Sequence, residues 1–285
     1  MPPAGAQTRS VGEAESDPDL VTAPCLPDPT GEKTFSPLPM NSINDAVAQA
    51  AALREVAHRP WPLNPRPWVM GQTWERLLFA HWPVSADVLR PHVPDHLEIE
   101  QHEGSAWLAL TPFRVVGLRL RGLLPVPGLS NFLELNCRTY VRHEDRPGIW
   151  FFSLDCSSRL TVEAARRTYA LPYRYAHIDF EDRRFTLRRA GEGAWLDASY
   201  RGVGEAKAPE PGSLEYFLVE RYCLYAGQGE LRADIHHAPW QLQAVEVELE
   251  QTGISPVPLE GQQPLCHYGH RQDVVIWSPE PISRG

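Results

Sequence analysis

Residues 131–141 read Asn-Phe-Leu-Glu-Leu-Asn-Cys-Arg-Thr-Tyr-Val, and they form the most informative segment of the chain. Its residue types alternate with the period of a β-strand, in which successive side chains point to opposite faces. One face is mostly apolar, whereas the other carries Phe132, Glu134, Asn136, Arg138 and Tyr140. A face that mixes aromatic, acidic, amide and basic side chains is typical of the interior of a ligand-holding barrel. The alternative is an ordinary antiparallel strand with this face in solvent.

A second alternating row favours the barrel interpretation. In residues 173–180, alternation places Tyr173, Tyr175, His177 and Asp179 on one face and Arg174 on the other. The segment follows a predicted helix through Leu171-Pro172, so its first residues are expected at a barrel rim. Two strands with polar and aromatic rows therefore predict one shared cavity.

The rest of the chain predicts a mainly β (α+β) fold. Strand patterns also cover residues 106–116, 149–155, 184–188, 195–200, 230–236, 241–248 and 273–277. The two main helical patterns cover residues 159–169, capped by Ser157 or Ser158, and residues 213–222. Many short strands, two main helices and no alternation of strand with helix predict an antiparallel β-barrel or a double sheet with the helices packed outside.

The composition changes along the chain and divides it into three parts. Eight of the 28 prolines precede Met40, and we expect residues 1–40 to be a disordered Pro-rich tail. Residues 41–67 are expected to form a docking helix followed by a Pro-rich linker. Residues 68–285 are expected to form the barrel domain.

Charge and hydropathy exclude several classes of partner. With 27 basic and 36 acidic residues the net charge is −9, which counts against binding to nucleic-acid phosphates. We find no apolar run long enough to span a membrane and no signal-peptide pattern at the start, so we predict no membrane partner. Five cysteines without a C-x-x-C pair predict neither disulfides nor structural zinc and favour a reducing, cytoplasmic location.

Few residues offer cofactor or covalent chemistry. Only Lys33 and Lys207 are lysines, and both lie in segments predicted to be exposed, so neither is expected to form a Schiff base. His237 shares a strand face with Ile235, where a histidine is more often a hydrogen-bonded core residue than a catalyst. Cys266-His267 and His270 lack a second cluster at metal-binding spacing. We therefore predict no metal and no cofactor.

Several motifs, in order, resemble a known family. They are Pro125-Val126-Pro127-Gly128 before residues 131–134, then residues 150–155, Leu171-Pro172-Tyr173, EYFLVERY at 215–222, residues 236–240 and residues 273–277. Together they are similar to the YqjF-like family of uncharacterised function (DUF2071), in the acetoacetate decarboxylase-like superfamily. The resemblance spans about residues 68–282.

This resemblance implies a conical β-barrel that holds a small molecule. In acetoacetate decarboxylase a lysine within a Gly-x-Pro-Lys-Lys run forms a Schiff base with a β-keto acid. The matching run here is residues 170–174, so Tyr173 stands at the nucleophile position and Arg174 beside it. Neither forms an imine, so the resemblance implies that the chain is not a Schiff-base decarboxylase. Glu134 matches a cavity-facing glutamate of that enzyme family.

The leading hypothesis is a binding cavity for a small carboxylate or carbonyl compound. Glu134 and Tyr173 are the candidates for moving a proton, and the candidate ligand-binding residues are Asn136, Arg138, Arg174, His177 and His237. Arg174 reaches the cavity only if a twist or bulge overcomes the alternation. Two alternatives stay open. One is an enzyme such as a lyase, hydratase or tautomerase using Tyr173 and Glu134; the other is a non-catalytic protein-interaction module. A homo-oligomer is possible because the distant enzyme forms rings of subunits.

Overall fold

The computed structural model describes residues 40–126, 129–259, 261 and 263–282. The helices in these ranges are α1 (Met40–Ala52), α2 (Ala86–Leu89), α3 (Arg159–Tyr169) and α4 (Leu214–Val219). The strands are β1 (Met70–Val84), β2 (Glu98–Ile99), β3 (Ala106–Leu120), β4 (Phe132–His143), β5 (Arg146–Cys156), β6 (Tyr173–Glu181), β7 (Arg184–Arg189), β8 (Trp195–Lys207), β9 (Cys223–Ala226), β10 (Leu231–His237), β11 (Leu242–Thr252), β12 (Leu265–Ile276) and β13 (Glu280–Pro281). The predicted disorder of residues 1–40 concerns residues outside the described ranges, apart from Met40. The division of the chain into three parts stays a prediction.

Within those ranges the strands join one thirteen-stranded sheet, in the order β13-β10-β9-β5-β6-β7-β8-β11-β12-β1-β3-β4-β2. Its pairings are antiparallel except where β5 pairs with β6 and β9. Extra pairings of β10 with β12 and of β5 with β4 bend the sheet back on itself. As a result β1, β3, β4, β5, β9, β10 and β12 form a closed ring. The predicted fold class, a mainly β antiparallel barrel or double sheet with two main helices, is confirmed.

Both faces of β4 are buried, each in a different core. Leu135 and Cys137 belong to a core in which β1, β3 and β4 pack against β6, β7 and β8. The opposite face points into the ring, where a second core contains Phe79, Phe113, Tyr140, Phe151, Ile235 and Trp240. Burying each such side chain contributes roughly 1.5–3 kcal/mol. The alternation of β4 therefore turns Glu134, Asn136 and Arg138 toward the interior of the ring, and none is more than 7% exposed.

Helix α1 docks on the outside of the ring at two glycines. Gly117 adopts a positive φ of 61°, and a Cβ at this position would lie 3.0 Å from the Cβ of Asp45. A Cβ on Gly71 would clash with the Gln49 side chain. Gln49 is fully buried, and its Nε2 atom donates a hydrogen bond of 3.1 Å to the Gly117 carbonyl oxygen. Its Oε1 atom accepts a hydrogen bond of 2.9 Å from Arg119 Nε. The close approach of α1 to β1 and β3 therefore depends on residues without a side chain.

The secondary structure follows the sequence patterns with one large exception. Helix α3 has the predicted bounds, whereas α4 is shorter than the predicted 213–222 because Glu220 leaves the helical conformation. The fifteen-residue strand β1 was not predicted at all. Residues 77–82 are buried on both faces, so they lack alternation, and Arg76 has a positive φ of 56° beside a shift in register. A doubly buried, irregular strand carries no period-two signal.

Candidate functional site

The ring of strands encloses a cavity with a volume of about 80 Å³. One buried water needs at least roughly 10–15 Å³ by this type of measure, so the space suits a few waters or a small organic group. The polar lining residues are Gln72, Thr111, Glu134, Asn136, Arg138, Tyr169, Tyr173, Arg221 and His237. Apolar side chains from β1, β3, β5 and β10 form most of the remaining wall. An apolar wall with a few convergent polar groups is the usual form of a small-molecule site.

Glu134 and Tyr173 meet at this cavity. Tyr173 Oη donates a hydrogen bond of 3.0 Å to Glu134 Oε2, and both side chains are buried. Burial raises the pKa of Glu134 to about 8, against the opposing effect of hydrogen bonds from Tyr173 and Asn136. Burial, with the nearby Glu134 carboxyl, holds the pKa of Tyr173 well above its usual range. Glu134 is thus a carboxyl that gains or loses a proton close to neutral pH, as a general acid or base requires.

Arg138 places a buried cation in the same cavity. It is 6% exposed and forms no ion pair with any residue in the described part of the chain. Its Nε atom is buried and has no hydrogen-bond partner there. The guanidinium lies 5.7 Å from the ring centre of Phe79. A buried charge without a counter-charge is costly, so this position favours an anionic ligand.

Arg221 differs from Arg138 because it has an ion-pair partner, the buried carboxylate of Glu100. Its Nη1 donates to Glu100 Oε2, and Arg142 Nη2 donates to the other oxygen of the same carboxylate at 2.7 Å. The Arg221 Nε atom donates to the Phe217 carbonyl oxygen at 2.8 Å, but Nη2 is buried without a partner in the described ranges. Arg221 therefore offers the cavity one hydrogen-bond donor, while its charge is already paired with a carboxylate that Arg142 shares.

Other buried polar atoms around the cavity also lack partners among the described residues. They are Asn136 Oδ1 and Thr111 Oγ1, in addition to Arg138 Nε and Arg221 Nη2. An unsatisfied buried polar group costs about 1–3 kcal/mol, and native structures rarely leave several of them together. The cavity wall therefore carries four buried polar atoms that are open to a hydrogen-bonding partner.

His237 also lines the cavity, and the protein fixes its ring. Its Nδ1 lies 2.8 Å from the Ala238 carbonyl oxygen and its Nε2 lies 3.2 Å from that of Arg221. The ring stacks on Tyr222 at 4.7 Å between centres. Burial lowers the pKa of His237 to about 4, so the ring is neutral at physiological pH and donates to only one of the two carbonyls. It serves as a rigid polar part of the wall.

Two candidate ligand residues, Arg174 and His177, lie away from the cavity, which corrects the sequence-based placement. Arg174 points away from Tyr173, as alternation requires, and forms an exposed ion pair of 2.8 Å with Glu192. His177 shares the face of Tyr173 but is exposed, because β6 continues beyond the ring and only its opposite face stays buried. The remaining candidates Glu134, Asn136, Arg138, Tyr173 and His237 all line one cavity.

Sequence reasoning missed Arg221, Thr111 and Gln72. Arg221 lies in the EYFLVERY motif at 215–222, but the helical pattern there draws attention to its apolar face. Gln72 belongs to β1, which no periodicity marks. Thr111 is a single small polar residue within the mostly buried strand β3. Of these, only the arginine within a family motif offered a signal.

Lysine, cysteine and metal chemistry is sparse in the described part of the chain. The described residues include one lysine, Lys207, whose side chain is 75% exposed at the end of β8 and does not line the cavity. Cys137, Cys156, Cys223 and Cys266 are free thiols. No group of three or more His, Cys, Asp or Glu side chains in these ranges is arranged to hold a metal ion. None of the described helices has the length and apolar character needed to cross a membrane.

Comparison with known proteins identifies close and distant relatives. Residues 71–280 match the DUF2071 family model, described as an uncharacterized conserved protein. The chain is 41% identical over 220 residues to the uncharacterized protein YqjF of Bacillus subtilis (strain 168), covering 74% of this chain and 91% of YqjF. This identity across most of both chains extends well beyond the cavity residues.

Solved structures with little sequence identity share the fold. The enduracididine biosynthesis enzyme MppR complexed with pyruvate has a TM-score of 0.53 at 13% identity, covering 80% of this chain and 95% of MppR. An acetoacetate decarboxylase-like enzyme from Sphingomonas wittichii RW1 has a TM-score of 0.53 at 12% identity, and the match covers 80% of this chain and 98% of that enzyme. Acetoacetate decarboxylase from Legionella pneumophila has a TM-score of 0.52 at 12% identity, and the match covers 80% of this chain and 93% of that enzyme. The chain therefore belongs to the DUF2071 family, the family of YqjF, and has an acetoacetate decarboxylase-like fold.

Proposed function

We propose that the chain binds a small carboxylate or carbonyl compound in the cavity inside the ring of strands. The observation that carries the proposal is Arg138, a buried cation without a counter-charge in the described residues, in the cavity that also holds the Glu134–Tyr173 pair. Guanidinium groups bind carboxylates with two parallel hydrogen bonds, and such a ligand offsets the cost of burying the charge. The Arg221 Nη2 and Thr111 Oγ1 atoms, which lack partners in those residues, provide further contacts.

The fold offers a precedent for the class of ligand. MppR, one of its structural neighbours, has been solved in complex with pyruvate. Pyruvate has both a carboxylate and a carbonyl group and is small enough for a cavity of about 80 Å³. It is therefore the first probe to use, in place of the natural ligand.

Binding of pyruvate to the wild type and to Arg138→Met tests the proposal by isothermal titration calorimetry. We expect the wild type to bind and the variant to lose at least about tenfold in affinity, since a charged hydrogen bond contributes roughly 1.5–3 kcal/mol. Arg167→Met, on the exposed side of α3, is the matched control and keeps wild-type affinity. Absence of pyruvate binding, or equal binding by Arg138→Met, would contradict the proposal.

A second candidate function is catalysis of proton transfer in the same cavity without an imine. It is favoured by the Tyr173–Glu134 hydrogen bond and by the Glu134 pKa of about 8, which allow the carboxyl to accept and return a proton near neutrality. Exchange of the pyruvate methyl protons in D₂O, followed by proton NMR, measures this directly. We expect exchange that Glu134→Gln abolishes and Tyr173→Phe slows. Exchange at the uncatalysed rate with wild-type protein would leave simple binding as the function.

A further inference from the structure

A groove much larger than the inner cavity runs beside helix α3. Its volume is about 680 Å³, compared with about 80 Å³ for the cavity inside the ring. Apolar side chains from β3, the following loop, the start of β4 and α3 form much of its wall, among them Leu118, Leu120, Leu129, Phe132 and Leu160. Leu120 and Leu160 are 56% and 67% exposed. Contiguous exposed apolar surface of this kind marks a binding groove.

The groove adjoins the inner cavity. Both are lined by Met70, Gln72, Ala165, Tyr169 and Tyr173, so no more than one layer of side chains separates them. The shared residues include the partner of Glu134 in the candidate site. Met70 is unbranched and adapts its shape easily, so the layer can part around a narrow chain.

The polarity of the two spaces differs sharply. The inner cavity holds Glu134, Arg138 and Arg221, whereas the described residues that line the groove include no charged side chain. Helix α3 turns its small residues Thr161, Ala164, Ala165 and Thr168 toward the groove. Their spacing of three and four residues places them on one helical face and leaves room beside it.

We propose that the ligand is amphipathic: a carboxylate or 2-oxo acid head in the inner cavity with a hydrocarbon tail in the groove beside α3. The inference rests on the proposed function, because the head binds where that proposal puts it. The small inner volume accommodates only the head, and an uncharged, apolar groove takes up a tail that would otherwise face water. The chain is then specific for medium-length oxo acids over pyruvate.

Affinities for a series of straight-chain 2-oxo acids test this inference. Pyruvate, 2-oxohexanoate, 2-oxooctanoate and 2-oxodecanoate are titrated below their micelle concentrations. We expect affinity to rise as the chain lengthens, by up to about fourfold for each methylene that becomes buried. Equal affinity for all four acids would overturn the inference but leave the proposed function standing. A failure of every acid, pyruvate included, would overturn both.

Substitutions on α3 show where the tail lies. Ala164→Trp fills the groove, so the ratio of 2-oxodecanoate to pyruvate affinity is expected to fall toward one, and Thr168→Phe is a second blocking variant. Arg167→Trp adds the same bulk on the exposed side of the helix and keeps the wild-type ratio. Circular dichroism checks that each variant is folded. A wild-type ratio in both blocking variants would overturn the inference.

An alternative occupant of the groove is a second copy of the chain. Sedimentation velocity of the wild type and Ala164→Trp distinguishes this case. We expect the oligomeric state to be the same in both proteins. A wild-type dimer that Ala164→Trp dissociates would overturn the tail-binding inference and identify the groove as a subunit interface.

Discussion

Replacing Glu134 with glutamine should stabilise the protein increasingly as the pH rises. The folded state raises the pKa of this carboxyl from 4.5 to about 8, so between these values the folded protein keeps a proton that the unfolded chain has lost. Stability then falls by about 1.4 kcal/mol for each pH unit. At about pH 7 the ionisable carboxyl lowers the free energy of unfolding by on the order of 3 kcal/mol. The neutral amide introduced by Glu134→Gln avoids this cost and still accepts the hydrogen bond from Tyr173.

Urea denaturation of the wild type and Glu134→Gln at several pH values measures this effect. The difference in free energy of unfolding should grow in favour of the variant by about 3.5 kcal/mol between about pH 5 and pH 8, and level off above about pH 9. His236 and His237, whose pKa burial lowers to about 4, are present in both proteins and cancel in the difference. Glu248→Gln, an exposed substitution on β11, is the control. A difference that stays constant with pH would mean that folding does not raise the pKa of Glu134.

Three further substitutions test the framework of the site. Asp155→Asn removes half of a buried pair in which Arg189 donates to both carboxylate oxygens at 2.7 and 2.6 Å, and should lower the free energy of unfolding in urea by about 3–5 kcal/mol. Gly148→Ala would put a Cβ 2.7 Å from the Cys223 thiol and should cost about 1–3 kcal/mol, seen as a lower melting temperature. Gln49→Ala leaves buried partners on β1 and β3 unsatisfied and should cost about 1–3 kcal/mol in the same assay. Unchanged stability in any of the three would contradict the contact concerned.

The interior face of β4 could be predicted from the sequence, because alternation is a local property. Period two fixes Glu134, Asn136 and Arg138 on one side whatever the rest of the chain does. Whether that side faces water or a cavity depends on pairing between distant strands. The closure of β10 on β12 and of β5 on β4 settles it, and no local pattern reveals such contacts.

The misplacement of His177 has a physical cause, which is that β6 crosses from one environment to another. Along β6, Tyr173 lines the cavity but His177 is exposed, so residues on the same face have different surroundings. Arg221 reaches the cavity only because α4 ends at Val219 and the chain turns inward. Alternation gives the face of a residue but not the point at which a strand leaves the barrel.

A crystal structure of the protein grown with pyruvate would show whether the cavity inside the ring holds the acid. We predict electron density for the acid inside the ring of strands, with its carboxylate within hydrogen-bonding distance of Arg138 and its carbonyl close to the Glu134–Tyr173 pair. Density for pyruvate elsewhere, or an interior filled by rearranged apolar side chains with Arg138 turned out to solvent, would contradict the claim.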